Sequence, residues 1–530
     1  MLIAAFDFGT TGCKGSFFSN QGNLVATHYE PYQTYYPQPG WVIQRPSEWK
    51  NALIETVASL LARTGEDASQ IGCLTFSGHM NGCVPVDATG EPLRDEAMLW
   101  ADARAAASAE QLPSGLTWEE FYRKTGAGLD LYLYPALKIA WLKGHDRPLY
   151  SRASFFLGTK DVVTSWLTGI CATDYSDASN TGLFNISRRL WDSDLVRAFA
   201  IDGPKLPDIL PSTQVLGGLS PAAARLLHLQ QGTPVAVGGG DVVCASAGAG
   251  AIAPGVAYAC LGSAAWVSTV RSEPILDPSL RVVNLCHLVP GLYSTQLISY
   301  TAGIAYKWLR DILCIHHTRA HGEYLSFREM DQMAEGAPPG SGGVLFLPYL
   351  RPGGAPHYDM SARAAFVGLN VTTCLSDIFR SVLEGVAFNL RQLVEALERS
   401  ENNPFPELTL IGGGASGDLW NRIIASVLNR RIVTLTAQQE ANTVGAAIAG
   451  GIAVEALEDF TDVARFIEVA SRVFPRPETA EVYDRFFRVF TEALPSLEDT
   501  NRALGGAVRT THDTSVIEES DYGRNVHGCL

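Results

Sequence analysis

Two aspartates stand beside glycine turns, each after an apolar run. Asp7 follows residues 2–6 and leads into Gly9-Thr10-Thr11-Gly12. Asp241 follows Val235-Ala236-Val237 and Gly238-Gly239-Gly240. An aspartate so placed either caps a strand or helix end or offers its carboxylate to chemistry. Glycine lets backbone N–H groups approach a phosphate closely, and hydroxyls add donors. Two further turns share the make-up of the Gly9–Gly12 turn: Leu261-Gly262-Ser263-Ala264 and Gly412-Gly413-Gly414-Ala415-Ser416-Gly417. One glycine turn is commonly just a turn. Three of them, two opening the two halves of the chain, point to a bound nucleotide. Phosphoryl transfer needs donors around the phosphates, Mg²⁺ to tie them down, and a carboxylate to receive a hydroxyl proton. Two converging acids would meet that need.

Other nucleotide chemistries are weaker readings. No Gly-Lys dipeptide occurs, so there is no Walker A loop, and the protein-kinase catalytic-loop set is absent. Gly412-x-Gly414-x-x-Gly417 matches a dinucleotide fingerprint, with Glu440 behind it, but nothing else supports hydride chemistry. A net charge of −15 is the wrong field for a nucleic-acid backbone. The chain has 530 residues, too many for one core, so at least two domains are expected. The 10 cysteines form no Cys-x-x-Cys pair and read as reduced thiols of a cytoplasmic protein. Cys314, His316 and His317 lack a second ligand pair and read as an ordinary cluster rather than a metal site. The apolar stretch 234–262 carries Asp241, Pro254 and many glycines, a load that no membrane helix tolerates easily.

The elements that must position these residues can be read from the periodicity. Residues 2–6, 14–18 and 24–28 are expected as strands joined by tight turns, an antiparallel edge to a first sheet. Pro46-Ser47-Glu48-Trp49 opens a helix with Leu53, Val57, Leu60 and Leu61 at helical spacing. Residues 72–76 and 235–237 are further strands. After Pro254-Gly255 the pattern restarts with a hairpin, 256–260 and 264–269, so two related α/β domains are expected to meet near Gly250. Residues 375–397 form a helix with Leu383, Val386, Ala387 and Leu390 on one face, and residues 443–453 form a small-residue helix. Beyond about Thr500 the chain is polar and lacks periodicity.

The ordered set of motifs resembles the FGGY family of carbohydrate kinases, and most of all its xylulokinase branch. Asp7-Phe8-Gly9-Thr10-Thr11-x-x-Lys14 is similar to the family's first phosphate turn. Trp100-Ala101-Asp102-Ala103-Arg104, Gly238-Gly239-Gly240-Asp241, Leu261-Gly262-Ser263, Phe346-Leu347-Pro348-Tyr349-Leu350, Leu383-Glu384-Gly385 and Gly412-Gly413-Gly414 follow in the family's order. The resemblance implies an α/β fold of two actin-like (ribonuclease H-like) ATPase domains with a cleft between them. The expected division is 1–248, 249–490 and an extension 491–530. It further implies that Asp241 takes the substrate proton and that Asp7 supports Mg²⁺ through water. Gly9, Thr10, Thr11, Lys14, Gly262 and Ser263 would hold the phosphates of ATP, with Gly413, Gly414 and Asp418 facing the adenosine. Met80, Asn81, Asp102 and Arg104 would serve the sugar. Read alone, Asp102 and Arg104 are a solvated ion pair, weak in itself. The expected partner is a small sugar, with no nucleic acid and no membrane, and a homodimer is open. Three departures bear on the substrate. Asn81 stands where the branch has histidine, Val242 where the family often has asparagine, and Pro352-Gly353-Gly354-Ala355-Pro356 where two charges are usual. D-xylulose is the first candidate, and another ketose or a polyol remains open. The outstanding alternative is an actin-like nucleotide switch without sugar kinase activity.

Overall fold

The computed structural model describes residues 1–106, 112–113, 115–313, 325–401 and 404–511. Cys314, His316 and His317 lie outside them, as do residues 512–530. The chain divides into two compact units. One holds Met1–Pro254, Val270–Thr295 and Glu440–Glu468; the other holds Gly255–Thr269, Gln296–Gln439 and Val469–Leu530.

In the first unit β1 (Leu2–Phe8), β2 (Gly12–Ser19) and β3 (Leu24–Pro31) form an antiparallel meander. β4 (Ile71–Gly78) lies parallel to β1. With β5 (Val215–Gly218) and β6 (Pro234–Ala236) the sheet order is β5-β6-β4-β1-β2-β3, and β7 (Gly239–Gly240) pairs with β4 alongside. β1 is buried along nearly its whole length, which suits a run that is apolar throughout rather than alternating. β3 is the half-exposed edge. The helix Pro46–Thr64 starts on proline, ends on Gly65 at φ 65°, and buries Trp49 with Leu53, Val57 and Leu60 of the expected face, while Leu61 is half-buried. Phe6 and Phe8 stack on Phe76 at 5.5 and 6.4 Å, and each buried ring contributes about 1.5–3 kcal/mol.

The helix Ala441–Ala453 belongs to this unit and packs on β1 and β4, although it lies within residues 249–490 of the chain. Its small residues have a use. A Cβ on Gly445 would lie 2.0 Å from the carbonyl of Cys244 in the helix Asp241–Gly248, so the two backbones touch.

The second unit repeats the plan. β8 (Ala257–Leu261) and β9 (Ala265–Arg271) are an antiparallel hairpin, and β10 (Tyr293–Ser299) lies beside β9. β11 (Glu407–Ile411) is parallel to β8, β12 (Arg431–Leu435) is parallel to β11, and β13 (Val469–Val473) is antiparallel to β12. Six strands of this seven-stranded sheet run in the order β10-β9-β8-β11-β12-β13, which matches β3-β2-β1-β4-β6-β5. The helix Leu375–Glu401 buries Leu383, Val386, Ala387 and Leu390, as its period predicts. Residues Glu498–Thr511, which carry no apolar period, are nevertheless helical. Arg502 pairs there with Glu498 and Asp499, one turn back. No helix among the described residues is long and apolar enough to cross a membrane.

Candidate active site

Asp7 is the penultimate residue of β1. Its Oδ1 accepts a 2.6 Å hydrogen bond from the Ser77 hydroxyl on the neighbouring parallel strand β4. Its Oδ2 accepts from Nδ2 of Asn442, at the start of the helix Ala441–Ala453, at 3.1 Å. Burial raises the carboxyl above its ordinary range, against the pull of Ser77, Asn442 and Lys14. The turn that follows is tied down by its carbonyls. Tyr32 donates to the Gly9 oxygen at 2.5 Å, and Gln44 and Thr34 donate to the Thr10 oxygen at 2.7 and 3.0 Å. Thr10 and Thr11 are exposed. Lys14 faces Asp7 across the hairpin and pairs with Glu440 at 3.8 Å.

Asp241 is the first residue of the helix Asp241–Gly248 and follows β7 directly. β1, β4 and β7 are parallel, with Asp7 paired to Ser77 and Gly239 paired to Ser77 from the other side. Both acids therefore leave the same edge of one sheet, the carboxyl edge at which open α/β sheets bind ligands. Burial and the charge of Asp7 push the Asp241 carboxyl up to about 7, and the N–H of Val242, 2.8 Å away, opposes them. Val242 thus supplies a backbone donor where its side chain has no polar group.

Met80 packs against the turn of Asp241, since a Cβ on Gly240 would lie 2.6 Å from its sulfur. Asn81 has φ 61°. Its side-chain Oδ1 is buried with no partner among the described residues. Its carbonyl accepts from Lys138, a fully buried lysine that also donates to the carbonyls of Leu99 and Trp100 at 2.5 and 3.4 Å. Burial brings that ammonium down to about 7, with Asp102 opposing. One side chain thus ties the Met80–Asn81 loop to the loop that carries Asp102. Asp102 and Arg104 correct the expectation of a solvated pair. Their side chains are 0% and 3% exposed, and the guanidinium lies 3.6 Å over the Trp41 ring. Asp102 also accepts from the N–H of Val42 at 2.8 Å. Removing either partner would strand a buried charge, at a cost of about 3–5 kcal/mol. His79 lies in the core, between Gln44 and Thr159, where burial pushes its imidazole down to about 4.

The remaining predicted residues lie in the second unit. The turn between β8 and β9 rests on a helix start: the Gly262 carbonyl accepts from the Gly303 N–H, and that of Ser263 accepts from Ala302 and Ile304. Ser263 itself is exposed. Gly412, at φ 86°, leaves only 2.8 Å between a hypothetical Cβ and the Leu261 carbonyl, so the third glycine turn sits directly on the second. Gly413 is exposed with nothing above it, and Asp418 is exposed at the first position of the helix Asp418–Leu428.

Comparison with known proteins decides the family. The model of the FGGY family of carbohydrate kinases matches twice, its N-terminal domain over residues 2–248 and its C-terminal domain over residues 257–454. The chain belongs to the FGGY family. It is 28% identical to a xylulose kinase of Lactococcus lactis, over 95% of this chain and 98% of that one. It is 33% identical to a glycerol kinase of Gloeobacter violaceus, over 93% and 96%. Among solved structures, a ligand-bound xylulose kinase from Lactobacillus acidophilus covers 94% of this chain and 98% of its own, with TM-score 0.85 and 25% identity. A gluconate kinase from the same organism covers 95% and 99%, again with TM-score 0.85 and 25% identity. This FGGY protein is a sugar kinase with an actin-like, ribonuclease H-like fold.

Membership in a kinase family brings ATP as co-substrate. The first unit fits the phosphates and a hard cation. Asp7 is a half-buried carboxylate beside a second one, a pairing that raises the cost of its own charge until a cation arrives. Among the described residues no group of three or more ligating side chains exists. Mg²⁺ keeps several waters and takes one or two carboxylates plus substrate phosphates, a set into which Asp7 would fit. Sequence reasoning missed Ser77, Asn442 and Lys138. Each acts through a neighbour remote in the chain, and no local motif marks it.

Proposed function

We propose that this kinase transfers the γ-phosphoryl group of ATP to a hydroxyl of an uncharged small sugar, with D-xylulose the first candidate. The observation that carries the proposal is Asp241. It is a carboxyl brought to about 7, at a strand end shared with Asp7, with Met80 packed against its turn. A base near neutrality is ionised often enough to accept a proton yet basic enough to want it.

In this reading Asp241 removes the proton of the attacking hydroxyl. The N–H groups and hydroxyls of Gly9, Thr10 and Thr11 hold phosphate oxygens, with Lys14 adding charge. In the second unit Gly262 and Ser263 take phosphate, and Gly413, Gly414 and Asp418 face the nucleoside. Asp7 would hold Mg²⁺ through water, and that ion would supply charge neutralisation on the phosphates. Met80 and Asn81 meet the sugar. Asp102 and Arg104, engaged with each other and with Trp41, serve it by fixing their loop.

Electrostatics supports a neutral sugar over a sugar acid. Among the described residues, Lys14, Arg104, Lys138 and Lys160 near these loops are each engaged. Lys14 pairs with Glu440, Arg104 with Asp102, and Lys138 with three carbonyls, while Lys160 is buried among Asp161, Asp174 and Asp177. None of these four is left to meet a substrate carboxylate among the described residues. Asp161 and Asp177, which hold Lys160, also line a cavity of about 40 Å³ with Asn81 and Gly82. The unpaired Oδ1 of Asn81 asks for a donor, which a substrate hydroxyl supplies. ADP release measured over ketopentoses, polyols and aldonates tests the choice. A neutral acceptor is expected to exceed any aldonate by about 100-fold or more in kcat/KM. A preferred aldonate would overturn it.

A further inference from the structure

Behind the turn of Asp241 lies a buried cluster that phosphoryl transfer itself does not use. Lys160, on the helix Thr159–Thr168, is fully buried. Its Nζ lies 2.6 Å from Asp161, 3.0 Å from Asp174 Oδ1 and 3.1 Å from Asp177. Taking such a group out of water is costly, and replacing it by apolar residues is often neutral or stabilising. Where the cluster leads is therefore informative.

Asp174 Oδ2 caps the helix Tyr175–Ser179. It accepts from the Ser176 N–H at 2.8 Å, from the Ser176 hydroxyl at 2.6 Å and from the Ser212 hydroxyl at 3.0 Å. With its proton committed to Asp174, the Ser176 oxygen can only accept on its other side. There it takes the backbone N–H of Gly240 at 2.9 Å. Gly240 is the residue before Asp241. Its strand β7 is paired with β4 on one flank, and Ser176 lies against the other, 3.4 Å from where a Cβ on Gly239 would sit. The peptide that aims the carboxylate is thus gripped between a strand and a serine anchored on buried charge.

We infer that Ser176, fixed by Asp174 and Lys160, is the positioning residue for the base Asp241. The inference rests on the assignment of Asp241 as base. Ser176 touches no reacting atom; it sets the plane of the peptide before Asp241. Ser176→Ala leaves the Gly240 N–H without a partner and lets that peptide tilt. Small misplacements of a catalytic group cost up to about 100-fold. Ser212→Ala is the matched control, since it removes a hydroxyl from the same Asp174 oxygen without touching Gly240.

Three measurements test this together. In steady-state kinetics with ATP and the best neutral sugar, Ser176→Ala is expected to lower kcat by about 10- to 100-fold. Both KM values should stay within about twofold. Because unfolded protein would also lower kcat at constant KM, rates are taken per folded enzyme, counted by its ATP-binding stoichiometry. Ser176→Thr, which keeps the hydroxyl, should recover most of kcat, and Ser212→Ala should stay near wild type. Hydrogen exchange reads the bond without turnover: the Gly240 amide should exchange at least about 10-fold faster in Ser176→Ala and unchanged in Ser212→Ala. An unaltered Gly240 amide, or a kcat loss shared equally by Ser212→Ala, overturns the inference. A wild-type protein that turns over no sugar would instead overturn the base assignment, while the exchange measurement still decides whether Ser176 holds Gly240.

Discussion

At the residue scale the two acids differ in their company. Asp7 accepts from two side-chain donors, whereas Asp241 accepts from the backbone N–H of Val242. Asp241 is consequently the group whose protonation should govern rate. A base must be ionised to act, so activity is low below its pKa and levels off above it. We expect kcat/KM for the sugar to rise with pH through about 7 and then plateau, as read from initial rates across pH 5.5–8.5 under saturating ATP. An acid limb near pH 4 would mean that burial and Asp7 do not act on the base. The places of Asp7 and Asp241 were legible because strand-end acids beside glycines form a local pattern. Their supports were not. Asn442 reaches Asp7 across 435 positions, and the Ser176 bond to Gly240 spans 64. Only the folded sheet brings these partners together. Asp102 and Arg104 were visible as a pair, but their burial was not, because it comes from Trp41 and Trp141 on distant segments.

At the element scale the strands and the long helices were readable from period and turn chemistry. The hairpins at residues 2–19 and 257–271 and the apolar faces of Pro46–Thr64 and Leu375–Glu401 follow that reading. The membership of Ala441–Ala453 was not readable, because small residues carry no direction. Its Gly445 makes a sharp test. A methyl there meets the Cys244 carbonyl at 2.0 Å, a backbone atom that cannot rotate away. Gly445→Ala gains helix propensity of about 1 kcal/mol but must push the packed helices apart, and overpacking costs about 1–3 kcal/mol or more. A lowered Tm in calorimetry is expected, with kcat reduced as well, because the helix carries Asn442 and its partner helix starts at Asp241. A raised Tm would show that the contact is slack.

At the scale of the whole molecule, two units share one strand order, and each puts its glycine turn between its first two strands. The predicted site residues divide accordingly. Asp241, Asp7 and the loops of Met80–Asn81 and Asp102–Arg104 lie in the first unit, and two glycine turns in contact lie in the second. The repeat was legible from the restart after Pro254. The return of residues 440–468 to the first unit was not, because a linear reading cannot see a chain cross back. The family relation covers more than nine-tenths of the chain yet spans xylulose, glycerol and gluconate kinases. Substrate therefore has to be argued from charge at the sugar loops and not from likeness.

The most direct test of Asp241 as the base is sugar-dependent ADP release by wild type and by Asp241→Asn, with ATP binding measured on both. We predict turnover with an uncharged sugar that the variant loses by about 100- to 10,000-fold, the range of general-base catalysis, while its affinity for ATP is retained. A variant that turns over sugar at the wild-type rate would contradict Asp241 as the base.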